Sequence, residues 1–329
     1  MAEPAIPQVS IIVAAYNSQD TIGECLKSIL AQNYPSDFFE VIVMDGGSKD
    51  ATVKKAQQFP IKVVSIKLNA PAAYNYAMKI ASYPILGFID ADAKVEPDWL
   101  KKLVPHLSDP KVAGVSGSIE TWNRENPWAR SIGYELKNRY QRIGKYTGRV
   151  ATMNLLLKKA VIEEAGGWDE KLPSQYDTDL GFRISAKGYK IAYEPSAVCY
   201  HFNRPTLRAY YRQQLQYGKN TLKLYFKHGR LARGDEITDV GMNIQPALLL
   251  AVLAFLLLGI VPMLRLVWVV SGLILLAISV YFVYTADKIA VKFHDWSALR
   301  LFVLYWVRAA AWFDGAVITT ARYLAGKDK

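Results

Sequence analysis

From Ile244 to Thr285 the sequence carries one charge, Arg265. It separates two apolar runs, Ile244–Leu264 and Leu266–Thr285. Each run is about 20 residues, the length a helix needs to cross a bilayer core. A hairpin buried in a soluble protein keeps a polar face over such a length, and neither run has one. Pro262 and Arg265 fit a very short turn between the two helices. The pattern predicts a transmembrane hairpin, so the rest of the chain folds beside a membrane. The start, Met1-Ala2-Glu3-Pro4, has neither the basic region nor the long apolar stretch of an export signal. The expectation is a multi-pass protein of the cell membrane whose first ~240 residues stay in the cytoplasm.

With 329 residues, 51% of them hydrophobic, there is room for one α/β domain ahead of the hairpin. The first hundred residues alternate strand and helix patterns. Val9–Ala15 is a continuous apolar run, as expected of a parallel strand covered on both faces. Glu40–Met44, Ile61–Ile66 and Pro84–Ile89 read as further strands, with helices from Thr21, from Ser48–Thr52 and over Ala72–Ile80. Thr21-Ile22-Gly23-Glu24 has the form of a capping box. This order predicts a doubly wound, mostly parallel sheet. Later strands are expected at Val112–Ser118, Ala151–Leu157 and Lys190–Tyr193, and helices at Asn126–Tyr146, Val161–Gly166 and Leu180–Lys187. The two cysteines, Cys25 and Cys199, lack metal-ligand spacing and read as buried thiols, not a disulfide.

The chemistry gathers at strand ends. The run Pro84–Ile89 ends in Asp90-Ala91-Asp92, which delivers two carboxylates to the carboxyl edge of the sheet, where open α/β folds bind ligands. Hard cations such as Mg²⁺ or Mn²⁺ take oxygen ligands and share them with substrate phosphates. Tyr16-Asn17 follows the first strand and Asp45 the second, so both fall on the same edge. Asp45 can bond a base or a ribose hydroxyl, or serve the turn it opens with Gly46-Gly47. In Asp177-Thr178-Asp179-Leu180 either aspartate can act as a general base, though Asp179 also suits a helix N-cap. His201 follows a strand-like run and becomes a third metal ligand only if the aspartates lie beside it.

Taken in order, these segments resemble family 2 glycosyltransferases of the GT-A fold. Val9–Asn17 resembles the family's opening strand and loop, Val41–Thr52 its second-strand signature, and Phe88–Asp92 its D-x-D metal site. Gly166–Glu170 with Asp177–Arg183 resembles the acceptor-side segment, and Tyr200–Asn220 the segment after it. The resemblance covers roughly residues 8–225 and points toward succinoglycan-biosynthesis-type and dolichyl-phosphate-sugar-synthase-type enzymes. The chain departs from the family pattern at Ala14, Ser18, Gly46, Tyr176 and Gln216. The resemblance implies a membrane-bound, inverting hexosyltransferase. Ala14, Tyr16, Asn17, Asp45, Asn75, Asp90 and Ala91 would hold the nucleotide-sugar, a UDP-sugar in preference to a GDP-sugar. Asp92 and His201, with Asp90, would bind a divalent metal, Mg²⁺ or Mn²⁺. Asp177 would be the catalytic base, and Asn154 and Trp168 would face the acceptor, though Trp168 also suits a core. A scaffold that kept this fold but lost its chemistry is the nonenzymatic alternative, and the intact aspartates argue against it.

Between Asn203 and Gly234 there are eight basic residues and no acidic one. Arg204, Arg208 and Arg212 recur every four residues, as do Lys219, Lys223 and Lys227, so each set lines one helical face. Tyrosines and leucines lie between them. Such a segment suits an anionic membrane surface or the phosphate of a lipid-linked acceptor, and beside a membrane hairpin it does not suggest nucleic acid. Two acceptors compete: a hydroxyl of a lipid-linked saccharide, which needs a base, and a polyprenyl or dolichyl phosphate, which needs none. The last apolar stretch, Leu299–Leu324, holds Arg300, Arg308, Asp314 and Arg322 within an arc of roughly 120°. It reads as an interfacial helix or as a third membrane helix whose polar face is packed. The basic tail, Lys327 and Lys329, favours a cytoplasmic C-terminus. The expected organisation is a transferase domain over 1–202, basic amphipathic surface helices over 203–242, and membrane helices over 243–329.

Overall fold

The computed structural model describes residues 6–229 and 233–326. Met1–Pro4, Arg230, Lys327 and Lys329, all used in the sequence reading, lie outside the described residues. The chain divides into two compact units. One comprises residues 1–122 and 140–202, the other 123–139 and 203–329.

The first unit is a nine-stranded sheet flanked by helices. In chain order it contains β1 (Val9–Ala15), α1 (Ile22–Leu30), β2 (Phe39–Asp45), α2 (Thr52–Ala56), β3 (Lys62–Ser65), α3 (Ala70–Ile80), β4 (Ile85–Asp90), β5 (Ala93–Val95), α4 (Trp99–Leu103) and β6 (Val112–Thr121). The chain then forms α5 (Pro127–Tyr140), most of which belongs to the second unit, and returns as β7 (Tyr146–Thr147), β8 (Leu155–Lys158), α6 (Lys159–Glu164), α7 (Tyr176–Ala186) and β9 (Lys190–His201). The strand order is β3-β2-β1-β4-β8-β6-β9-β5, with β7 on β9. The half built from the first ninety residues is parallel, as expected. The other half is mixed, because β8 runs antiparallel to both β4 and β6, and β5 runs antiparallel to β9. Alternate residues of β1 feed two cores. Val9, Ile11 and Val13 pack with α1 and α4, while Ile12 packs with α3, Phe88 and Trp168 on the other face. A strand buried on both faces needs the continuous apolar run that marks β1 in the sequence.

One local expectation fails. Thr21 makes no side-chain cap on α1, and its hydroxyl instead donates to the Ser18 carbonyl, so the capping box does not form. The loop above α1 is organised by Asp50 and Gln19, whose side chains take the backbone amides of Gln19, Thr52 and Ala51.

The second unit is helical. It contains α5, α8 (Leu207–Lys227), α9 (Val240–Asn243), α10 (Gln245–Leu258), α11 (Val267–Phe293) and α12 (Leu301–Leu324). Among the described residues, three stretches are long and apolar enough to cross a membrane: Val240–Leu258, Val267–Phe293 and Trp296–Leu324. The turn between the first two depends on Gly259, where a Cβ would sit 2.1 Å from Trp268 Nε1, which donates to the Leu256 carbonyl. Leu250, Leu257, Leu273 and Leu276 are 57–60% exposed, which suits a surface facing lipid. Two charges of α12 are spent on protein. Arg308 pairs with Glu135 of α5, and Asp314 accepts from the Tyr211 hydroxyl of α8. Helices α8 and α12 meet backbone to backbone, since a Cβ on Gly218 would lie 2.6 Å from Trp312 Cα. Segment 123–139, expected within the first domain, therefore groups with the apolar helices, and so does the basic helix α8. The reason is packing: Ile132, Trp128 and Tyr134 join a core with Phe282, Leu304 and Tyr305.

Candidate active site

The site is assembled by strand register. Parallel pairing sets Ala14 of β1 opposite Asp90 of β4, and Ala15 opposite Asp45 of β2. The Ala91 amide donates to the Ala14 carbonyl, carrying the first strand's order into the Asp90–Asp92 turn. Strand β9 arrives from the other side. His201 pairs with Ala93, and the Phe202 amide donates to the Asp92 carbonyl at 2.8 Å. Residues distant in sequence thus meet at one edge. Ligand atoms of Asp90, Asp92 and His201 lie within 4.8 Å of one another, and His201 Nε2 is 3.5 Å from Asp92 Oδ1. Two carboxylates and one imidazole form a donor set suited to a divalent cation such as Mn²⁺.

Beside this cluster is a cavity of about 470 Å³. Its lining includes Ala14, Tyr16, Gly46, Tyr74, Asp90 and Asp92. The Asp90 carboxyl is pushed up to about 6, chiefly by burial and then by Asp92, against the pull of His201. The Tyr74 hydroxyl and the Thr152 hydroxyl both reach Asp90 Oδ1, at 3.4 and 3.3 Å. A carboxylate held this way loses much of its cost of ionisation when a cation arrives.

Asp177 lies in the first turn of α7, next to Tyr176 of the cavity wall. Its charge adds to the upward push on the Asp90 carboxyl, after burial and Asp92. Burial pushes the Asp177 carboxyl up, while the Thr178 amide and the Arg149 guanidinium pull it down. Gln175, just before the helix, adopts a left-handed conformation at φ 60°. That strain at the helix entry is the kind found where a fold aims a side chain for use.

Residues 10–164 match the family model for glycosyl transferase family 2. The glycosyltransferase AglE of Haloferax volcanii is 27% identical over 229 residues, 67% of this chain and 75% of that protein. Residues 10–164 of the chain carry a family 2 glycosyltransferase domain. A poly-beta-1,6-N-acetyl-D-glucosamine synthase of Staphylococcus aureus is 25% identical over 224 residues, 64% of this chain. The alignment spans 54% of that synthase, about half its length. Among solved structures, the mannosyltransferase PcManGT from Pyrobaculum calidifontis, in complex with GDP-Man and Mn²⁺, superposes with a TM-score of 0.59. At 23% identity the superposition covers 95% of this chain and 87% of that one, and it shows a shared GT-A-like fold. Asp177 and His201 lie beyond the residues matched by the family model.

The remaining expected residues of this glycosyltransferase take varied places. Tyr16 is 60% exposed on the cavity rim, and Ala14 and Ala91 are in its wall. Asn17, at φ 48°, accepts from the Lys49 amide and so braces the rim loop. Asp45 serves its own turn: it is buried and accepts from the Gly47 and Ser48 amides and the Ser65 hydroxyl. Asn75, expected on the nucleotide, instead clamps the Gly166–Glu170 loop. Its amide accepts from the Trp168 N–H and donates to the Trp168 carbonyl and to Glu170. Gly167 permits this clamp, since at φ +73° its Cβ would fall 2.9 Å from Asn75 Oδ1. Trp168 is core, packed against Tyr74, Phe88 and Tyr176. Asn154, expected on the acceptor side, is fully buried and staples the sheet, accepting from Trp99 Nε1 and donating to the Ser118 and Ala197 carbonyls. Asp179, expected as a base or a cap, does not cap the helix, which opens at Gln175. It is buried and paired with Arg183, which in turn donates to the Ala165 carbonyl. Both cysteines are free and buried, as expected, and burial pushes their thiols up. Arg204, Arg208 and Arg212 belong to the helical unit, the last two on α8 and exposed. Sequence reasoning missed Tyr74, Thr152 and Arg149, which carry no motif of their own.

Proposed function

We propose that the protein transfers a sugar from a nucleotide-sugar to a hydroxyl of a lipid-linked saccharide at the cytoplasmic face of the cell membrane. The observation that carries this reading is the cluster of Asp90, Asp92 and His201 beside one cavity, with Asp177 next to Tyr176 of its wall, in a chain whose described residues hold three long apolar helices. Asp90, Asp92 and His201 would hold Mg²⁺ or Mn²⁺, and when bound the cation neutralises charge developing on the departing nucleoside diphosphate. The exposed ring of Tyr16 and the backbone around Ala14 and Gly46 suit a nucleotide. Asp177 accepts the proton of the acceptor hydroxyl as its oxygen attacks the anomeric carbon, and attack opposite the leaving group inverts the configuration. Burial favours this role, because a carboxylate with a raised proton affinity is a better base. A UDP-sugar remains the preferred donor from the family resemblance, and the GDP-Man bound by PcManGT keeps a GDP-sugar as its rival.

The exposed Arg208 and Arg212 support a second reading, in which the acceptor is a polyprenyl phosphate. That acceptor is already an anion and would not need Asp177. For the membrane part, two spans plus an interfacial α12 are the better account. Polar helices α5 and α8 contact α12 from Arg308 to Thr319, and residues such as Arg139, Lys219 and Lys223 do not belong in hydrocarbon.

The test incubates detergent-solubilised protein and native lipid extract with UDP- and GDP-sugars and Mn²⁺ or Mg²⁺, followed by mass spectrometry. A glycolipid that requires metal and is absent with Asp92→Ala supports the reading and names donor and acceptor. Folded protein that binds no donor and forms no product returns the chain to a scaffold role.

A further inference from the structure

Helix α7 carries Asp177 into the site, and the loop from Gly148 to Val150 is pressed against it. The contact requires Gly181. A Cβ there would lie 2.7 Å from the Gly148 carbonyl oxygen and 3.3 Å from the Val150 nitrogen. The close approach brings the Arg149 side chain along the first turn of α7. Arg149 Nη1 donates to the Thr178 hydroxyl at 2.9 Å, and the Arg149 amide is itself fixed by the Thr147 hydroxyl at 3.0 Å. Thr178 is buried, and its amide donates to Asp177 Oδ1 at 2.7 Å. One residue thus links the guanidinium to the carboxylate. The guanidinium favours the charged form of Asp177, and Asp177 and Asp90 repel each other's charge.

We propose that Arg149 is a positioning residue for Asp177: through Thr178 it fixes the carboxylate's orientation, and it sets a positive charge beside it. This rests on the reading of Asp177 as the base. A carboxylate among carboxylates tends to hold its proton or swing away, and a fixed guanidinium opposes both. Arg149 also sits outside the residues that line the donor cavity. Its loss should therefore act on turnover and leave donor binding alone.

The experiment compares steady-state kinetics of the full-length protein with Asp177→Asn, Arg149→Met, Arg149→Lys, and the double variant Asp177→Asn/Arg149→Met. Asp177→Asn is expected to lower kcat by about 100-fold or more, the size of general-base assistance. Arg149→Met is expected to lower kcat by about 10- to 100-fold with the donor KM within about twofold, the signature of an interaction made in the transition state. Arg149→Lys, which keeps the charge, should recover most of that loss. The double variant should be no slower than Asp177→Asn alone, because Arg149 acts through Asp177. If Asp177→Asn turns over like wild type, the base reading falls and Arg149 with it. If Asp177→Asn is inactive while Arg149→Met is unimpaired, raises the donor KM at constant kcat, or is not rescued by lysine, the positioning role alone is overturned. Should Arg149→Met fail to fold, Thr178→Val removes only the linking hydroxyl. It is expected to cost about 3- to 10-fold in kcat at constant KM, and an unchanged kcat overturns the proposal.

Discussion

Glu135 offers a sharp test of how the helical unit is held together. It lies on α5, is 6% exposed, and accepts from both Arg139 and Arg308, the latter 3% exposed on α12. Replacing Glu135 by leucine leaves the Arg308 guanidinium buried without its counter-ion. Breaking a buried pair from one side costs about 3–5 kcal/mol, mostly as the penalty of the stranded charge. At about 2–4 °C per kcal/mol for a protein of this size, the melting temperature falls by about 6–20 °C. Replacing both partners, Glu135→Leu with Arg308→Met, removes the stranded charge and should return to within about 1 kcal/mol of wild type, because apolar pairs often match buried ion pairs. Arg139 is nearer the surface and can turn its head to water. The assay is thermal unfolding in one detergent at one scan rate, since membrane proteins often unfold irreversibly. The reasoning is refuted if Glu135→Leu melts like wild type, or if the double variant is no more stable than the single one.

Three further outcomes follow, the first from the same carboxylate. Burial would push the Glu135 carboxyl up, but Arg139 and Arg308 outweigh it and hold it below the usual carboxylate range. Its contribution is then complete above the unfolded value of about 4.3 and is lost as pH falls through the folded value, so wild type should lose more melting temperature below pH ~4 than the double variant does. Gly218→Val places a side chain where 2.6 Å separates a Cβ from Trp312 Cα, and should destabilise the α8–α12 packing by at least about 1–3 kcal/mol, read as a lower melting temperature. A reporter fused after α12 should be found on the same side of the membrane as the catalytic unit, and a reporter found on the opposite side would establish a third span.

Much of the site was legible because it is built from strand ends. A parallel strand has a fixed direction, so Asp45, Asp90 and Tyr16 could be set on one edge from apolar runs alone. His201 could be brought to that edge only through the β9 pairing with β5, which no local pattern announces. The mixed half of the sheet was obscured for the same reason, since the short β8 owes its place to antiparallel partners distant in sequence. Asn75 and Asn154 show a different limit. An amide that staples a loop or a sheet looks, in sequence, like one that binds a ligand, and only its partners tell them apart. Asp177 and Asp179 are two residues apart and nearly alike in type, yet Arg183 claims one of them and leaves the other beside the cavity. The pair of long apolar helices was plain because apolar length is a composition signal. The place of α5 was hidden, because Glu135 finds Arg308 173 positions away.

The most direct test of the central claim is metal-dependent release of nucleoside diphosphate from the donor in the presence of acceptor lipid. Wild type, Asp92→Ala and Asp177→Asn would be measured side by side across a Mn²⁺ titration. The account predicts turnover that rises with Mn²⁺ in wild type and is lost in Asp92→Ala at every concentration. It predicts that Asp177→Asn binds donor normally but turns over about 100-fold more slowly or worse. Turnover by wild type without a divalent cation, or wild-type rates in both variants, would contradict it.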